Sequence, residues 1–388
     1  MRLQARIPSV DPQVAQPPSV CPYDDCQGTY FKNHQQQCSK RVRDTQLDEV
    51  GVSRRKCLRC GRTHRVYVQG VSKAQQSDRL KGLSIMLYLL GISYRGVEDL
   101  LQALGLRLDH STVYRNVQAA GERVRHLRKE RLRQGDWTVE VVGGDLTYVK
   151  CGGEQVVLGV TAGVEGVMLD IEVLDNEETE TLVAWLQPLL ALVGAQVLIS
   201  DDQAGFKTVA DQAGVEHQIC RRHVTLNVLD FIAKTAEKVW RKAPAVPSQL
   251  TVTVDQLLED LATLEWIILG HPENGSDLLE KLYDRYAAAP APQPGRRASI
   301  WYRLRNHVLH LWDHWRRYTC YQTFQHHDTV RVEATNNHTE RVIGWEVKER
   351  YQTMRGYKRK DSILNVTMLT GWLHQKPFEG DMSHLFAS

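Results

Sequence analysis

Asp145 sits in Gly143-Gly144-Asp145-Leu146-Thr147-Tyr148-Val149-Lys150, and Asp201 closes the apolar run Leu198-Ile199-Ser200-Asp201-Asp202. Each acid is attached to a short apolar segment of strand type, so two neighbouring strands could bring the carboxylates together. Hard carboxylate oxygens are ligands for divalent cations. Two Mg²⁺ ions about 3.5–4 Å apart neutralise both the attacking and the leaving oxygen of a phosphodiester in an in-line displacement. Mn²⁺ would serve the same ligands. Two aspartates do not complete such a site, and a third acid is expected from a later helix. Glu333, in Arg331-Val332-Glu333-Ala334-Thr335-Asn336-Asn337, opens a basic segment running to Lys360 and is the candidate. Asp202 is the competing ligand at the second position, but directly before a helix it suits an N-cap.

A second constellation lies near the start. Cys21-Pro-Tyr-Asp-Asp-Cys26 and Cys57-Leu-Arg-Cys60-Gly61 are two cysteine pairs joined by a polar connection with little apolar material. A segment this poor in core needs a staple, and one structural Zn²⁺ held by Cys21, Cys26, Cys57 and Cys60 is the expected one. His34 and Cys38 are competing ligands.

The elements that must position these groups follow from periodicity. Residues 1–20 read as a disordered lead-in, 21–70 as a zinc ribbon, and 74–134 as three helices (75–90, 94–104 and 111–133) forming a helix-turn-helix domain. In the third helix Val113, Val117, Ala120, Val124 and Leu127 form the inward stripe, and Thr112, Arg115 and Asn116 are expected on the outer face to reach base edges and phosphates. Strands are predicted over 138–150, 155–163 and 167–174, then a helix (177–193), a strand (195–200), a helix (203–213) and a strand (216–220). This is an α/β order, that of an RNase H-like core with a mixed sheet covered by helices.

The 388 residues include 42% apolar residues and carry a net charge of +3. Residues 1–143 hold 24 Lys and Arg against 14 Asp and Glu, and residues 144–388 hold 25 against 32, so the front is basic and suits a polyanion. Eight cysteines, few for the length, imply a reducing, cytoplasmic setting, nucleoid-associated in a prokaryote. No apolar run approaches the roughly 20 residues a membrane span requires.

Taken in order, Asp145 in its strand, Ile199-Ser200-Asp201 with Gly205, Cys220-Arg221-Arg222-His223 with Asn227, and Glu333 with Asn336-Asn337 and Glu340-Arg341 resemble the DDE transposases of the Mutator-like group and related bacterial insertion-sequence elements. The resemblance covers about 138–375. It implies an acidic triad of Asp145, Asp201 and Glu333 holding two Mg²⁺ ions, and a Cys-x2-His element at Cys220 and His223 supported by Asn336 and Asn337. It further implies an all-helical insertion (224–328) between core parts at 138–223 and 329–375, with a tail at 376–388. The implied activity is metal-dependent cleavage at transposon ends and strand transfer. Its partners are terminal-repeat and target DNA and at least a second copy of the chain.

Beside the third acid, Arg341, Lys348, Arg350, Arg355, Lys358, Arg359 and Lys360 are expected to track phosphates. Cys220 and His223 read as packing near the acids rather than as a zinc pair. Trp301, Trp312 and Trp315 read as core aromatics. The competing functions are a domesticated DNA-binding regulator without transposition and a nuclease of the same fold without strand transfer.

Overall fold

The computed structural model describes residues 5–135, 137–325, 330–354, 356–374 and 382–386. Its centre is a five-stranded mixed sheet: β5 (Val141–Cys151), β6 (Glu154–Gly163), β7 (Met168–Leu174), β8 (Val197–Ser200) and β9 (Glu216–Ile219), in the spatial order β7-β6-β5-β8-β9. The first three strands pair antiparallel, and β8 and β9 join parallel to β5. The strand–helix alternation read from the sequence is thus observed, as a mixed α/β fold. The crossovers are α4 (Thr179–Val193) and α5 (Ala204–Ala213), whose Leu182, Leu186, Leu190, Phe206 and Val209 bury one face of the sheet with Val142 and Leu198.

The other face is covered by α1 (Asp78–Leu89), α2 (Tyr94–Ala103), α3 (His110–Arg133) and a late helix, Lys360–His374, all in one core with Leu158, Val160 and Met168 of the sheet. The helical segment expected to stand apart as a domain therefore shares its core with the sheet.

Before it, β1 (Asp11–Gln16), β2 (Phe31–Arg41), β3 (Glu49–Cys57) and β4 (Thr63–Gln69) form a small antiparallel sheet. The expected disordered lead-in is corrected here, because β1 adds to β4 through its backbone and Val10 is buried beside Val68 and Val71.

Between β9 and the third-acid region, helices α6 (Arg221–Arg241), α7 (Val254–Gly270), α8 (Gly275–Tyr286), α9 (Ile300–Asp313) and the short α10 (Trp315–Tyr318) and α11 (Cys320–Thr323) follow one another. α6 to α10 close a core of their own, in which Trp301 and Trp315 are buried and Trp312 is partly buried. Then come α12 (Asn337–Val342), a π-helical segment (Ile343–Lys348), α13 (Glu349–Gln352) and the late helix just described, α14. In the stretch read as a tail, Met382–Leu385 form a 3-10 turn whose Met382 and Leu385 enter the main core. Among the described residues no helix is long and apolar enough to cross a membrane.

Candidate active site and metal centre

Parallel pairing of β5 with β8 matches Gly143 to Ile199, and continuing that register two residues sets Asp145 level with Asp201 at the end of β8. Alternation along β5 sends Gly143 and Asp145 to the face on which α12 lies. A Cβ at Gly143 would stand 2.0 Å from Thr339 Oγ1 and 2.5 Å from both Asn336 Oδ1 and His338 Nε2, so glycine is what lets α12 press onto the strand. Three bonds fix that approach. Asn336 Nδ2 donates to the Gly144 carbonyl at 3.0 Å, the Asn336 N–H to Cys220 Sγ at 3.4 Å, and the Arg221 N–H to the Ala334 carbonyl at 2.8 Å.

The acid that α12 delivers is Glu340. Its Oε1 lies 3.7 Å from His223 Nε2, and Cys220, His223 and Glu340 have ligand atoms within 4.8 Å of one another. Burial pushes the Asp145 carboxyl up to about 6, with the charges of Asp201 and Glu340 adding to it and the 2.8 Å bond from the Leu146 N–H and the His223 ring opposing. Burial likewise raises Asp201, against the Gln203 N–H and His223, while the charge of Asp202 adds to the rise. The neighbouring Cys220 thiol, and after it the carboxylates of Glu340 and Asp145, hold His223 up at about 9 against its burial. Glu340 Oε1 is buried without a hydrogen-bond partner. The charges of Asp201 and Glu340 both act on Asp145, and carboxylates of this kind are ligands suited to a hard cation.

Glu333 is placed differently from the expectation. It precedes α12, its side chain is 40% exposed, and it lies 3.9 Å from the buried His338 ring. The charge of Glu340 acts on Asp145. The signal that pointed to Glu340 was the requirement for an acid on a helix: Asn337 begins one, and Glu340 lies in its first turn. Asn337 opens α12, and Asn336 bonds the strand and seats the helix.

Asp202 does more than precede a helix. His310 Nε2 of α9 lies 2.8 Å and the Tyr318 hydroxyl of α10 3.0 Å from its Oδ2, and Lys207 Nζ is 2.7 Å from Oδ1. The residue beside Asp201 is one tie between the helical insertion and the sheet. A cleft of about 390 Å³ opens here, lined by Asp201, Asp202, Gln203, His223 and Asn227. A larger one, about 660 Å³, lies at the other end of β8 and β9, where Arg316 pairs with Glu216 and Arg317 with Asp211.

The basic residues divide. Arg341 is exposed, Lys358 is exposed, and Lys348 is half-buried with its ammonium 2.6 Å from the Tyr148 carbonyl. Arg350 is corrected: it is buried, its guanidinium 4.2 Å from the Tyr88 ring centroid, and it faces no solvent. Arg359 is exposed, and Lys360 lies 3.7 Å from Asp175. Arg355 lies outside the described residues. On α3, Arg115 is exposed and Thr112 half-buried, but Asn116 is buried and bonded to Gln76 and to Ser84 at 3.1 Å. The position read as base-reading is filled by a satisfied core amide.

At the front, the four cysteines converge. Cys21 and Cys60 have their sulfurs 3.8 Å apart, as do Cys26 and Cys57, and all four lie within 4.8 Å of one another. Tetrahedral thiolates at about 2.3 Å from a zinc ion stand about 3.8 Å from each other. Gly28 leaves the space, since a Cβ there would be 2.7 Å from Cys57 Sγ. His34 and Cys38 lie on β2 and are not part of the cluster.

Residues 57–245, just under half of the chain, match the family described as "Transposase, Mutator family". The chain is 28% identical over 119 residues, 31% of its length, to the transposase for insertion sequence element IS257 in transposon Tn4003 of Staphylococcus aureus. It is equally similar to the transposase for insertion sequence-like element IS431mec of S. aureus strain Mu50. In both cases the chain spans about half (52%) of the relative's length. The HTLV-2 integrase catalytic core domain in complex with magnesium aligns with 34% of this chain and 85% of its own, at 14% identity and a TM-score of 0.19, a likeness too slight to speak for fold or activity. The segment that matches the Mutator-family model carries Asp145, Asp201, Cys220 and His223, so the chain is similar to those transposases where its motifs lie.

Proposed function

We propose that this chain is a DNA transposase with an RNase H-like catalytic core, in which Asp145, Asp201 and Glu340 hold the divalent ions for strand cleavage at the element's ends and for strand transfer. The reading is supported by the register that sets Asp145 level with Asp201, together with the close seating of α12 on β5 at Gly143 and the charge of Glu340 acting on Asp145. It replaces Glu333 with Glu340 as third acid.

Bound Mg²⁺ or Mn²⁺ would supply charge neutralisation on the attacking and leaving oxygens. The protein's own part is positional. Asn336 and Cys220 hold α12 against β5, and His223 fixes the Glu340 carboxylate. Arg341 and Lys358 face solvent where phosphates of a bound strand would run. Water activated in the site would hydrolyse one strand, and the freed 3′-hydroxyl would attack the target in line, without a covalent enzyme intermediate.

The four-cysteine cluster, read as a zinc ribbon, together with α2 and α3, read as a helix-turn-helix with Arg115 outward, would form the DNA-binding front. Two ends must be paired, so the working form is at least a dimer, acting on DNA in the cytoplasm or on the nucleoid. The test is purified protein on labelled end duplex with Mg²⁺: nicked ends with 3′-hydroxyls and joined products support the reading, and intact DNA overturns it. Nicks without joined products would favour a nuclease.

A further inference from the structure

Resting on the reading above, we propose that Trp345 is a stacking platform for a base unpaired from the DNA strand next to the cut. Trp345 is 61% exposed, although indoles of this size are usually mostly buried. It belongs to the π-helical segment Ile343–Lys348, which continues α12 directly from Glu340. Ile343, Glu346 and Val347 bury the other side of that segment, so the indole is held outward by a seated backbone. π-helical turns are uncommon and cluster at functional positions. A Cβ added at Gly344, the preceding residue, would meet nothing within 4 Å, so the segment is open at that position too.

The surroundings select the occupant. Arg341 stands about one helical turn before Trp345, exposed, and Lys348 follows with its ammonium 2.6 Å from the Tyr148 carbonyl. Tyr148 is on β5 three residues after Asp145, which places cations and an open aromatic face beside the strand that carries a catalytic carboxylate. Cations match phosphates, and an indole face matches any base through its π-system without sequence preference. The chemistry fits an unstacked nucleobase better than an apolar protein surface, which would leave the exposed Arg341 charge unmatched.

The test uses the full chain and end duplexes in which each nucleotide around the cut is replaced in turn by an abasic one, with binding measured in Ca²⁺ and cleavage in Mg²⁺. Trp345→Ala is expected to weaken binding to intact DNA about 5- to 150-fold, the worth of one base–aromatic stack, and Trp345→Phe to restore most of it. At one abasic position wild type and Trp345→Ala should bind alike, because the base is gone. Equal binding of wild type and Trp345→Ala to intact DNA overturns the proposal. So does a loss that is the same at every abasic position. If wild type fails to cut in Mg²⁺ yet shows this position-specific loss, the transposase reading fails while the platform stands; if it cuts and shows none, the platform fails alone.

Discussion

Replacing Gly143 by alanine should disable the site from a residue that bears no functional group. The added methyl would sit 2.0 Å from Thr339 Oγ1, where ordinary contact begins at 3.4 Å, so the start of α12 must withdraw by about 1.4 Å. Overpacking of this kind costs about 1–3 kcal/mol of stability, a few degrees in Tm. The catalytic loss should be larger, because Glu340 rides on α12 and a displacement of about 1 Å in a catalytic group costs on the order of 100-fold in rate. Gly144→Ala is the control. Its methyl would point to the opposite face and meet Leu186, Leu198 and Phe206 at 3.4–3.5 Å, which is ordinary packing. Single-turnover cleavage of labelled end duplex in Mg²⁺ reads both variants, with thermal melts to establish that each is folded. A folded Gly143→Ala protein that cuts at the wild-type rate, or a Gly144→Ala protein that is equally crippled, would refute the argument that α12 packing on β5 positions the third acid.

Three further outcomes follow from other parts of the molecule. Chelation of zinc, or Cys57→Ser, should unfold the β2–β4 sheet and abolish end binding, with about one zinc per chain in native mass spectrometry; binding that survives metal-free would contradict the four-thiolate centre. Asp202→Ala leaves the buried Tyr318 hydroxyl without its acceptor, a cost of about 1–3 kcal/mol, and should lower hydrogen-exchange protection in α9 and α10 more than in β5; uniform protection would remove Asp202 as a tie between them. Burial pushes the Glu346 carboxyl up to about 8 from an ordinary 4.5, offset in part by Arg128. The folded state therefore keeps a proton that the unfolded state releases, and this contribution to stability is lost as pH rises from about 4.5 through 8. Denaturant melts should show Glu346→Gln gaining about 2–3 kcal/mol on wild type between pH 6 and pH 8, and parallel pH curves for the two would contradict it.

The sheet was legible because its strands are short apolar runs bounded by glycines, and the parallel register then set Asp145 and Asp201 level without any further signal. The four cysteines were legible because metal ligation imposes spacing. The third acid was not. Glu333 and Glu340 are separated by seven positions, and which one faces the aspartates depends on where α12 begins and on a close approach at Gly143 that spacing does not express. Asn116 and Arg350 carry solvent-type side chains, yet tertiary contacts with Ser84 and Tyr88 bury them. The pairing of β1 with β4 is a backbone contact across more than fifty positions, with no periodicity in residues 11–16 to announce it.

The central claim is that α12, through Glu340, completes the metal-binding carboxylates. Cleavage of end DNA in Mg²⁺ by Glu340→Gln and Glu333→Gln, both verified as folded and DNA-bound, tests it most directly. The account predicts a loss of about 100- to 1,000-fold for Glu340→Gln, as for removal of a principal electrostatic contributor to catalysis, and near wild-type cleavage for Glu333→Gln. Active Glu340→Gln beside inactive Glu333→Gln would contradict it.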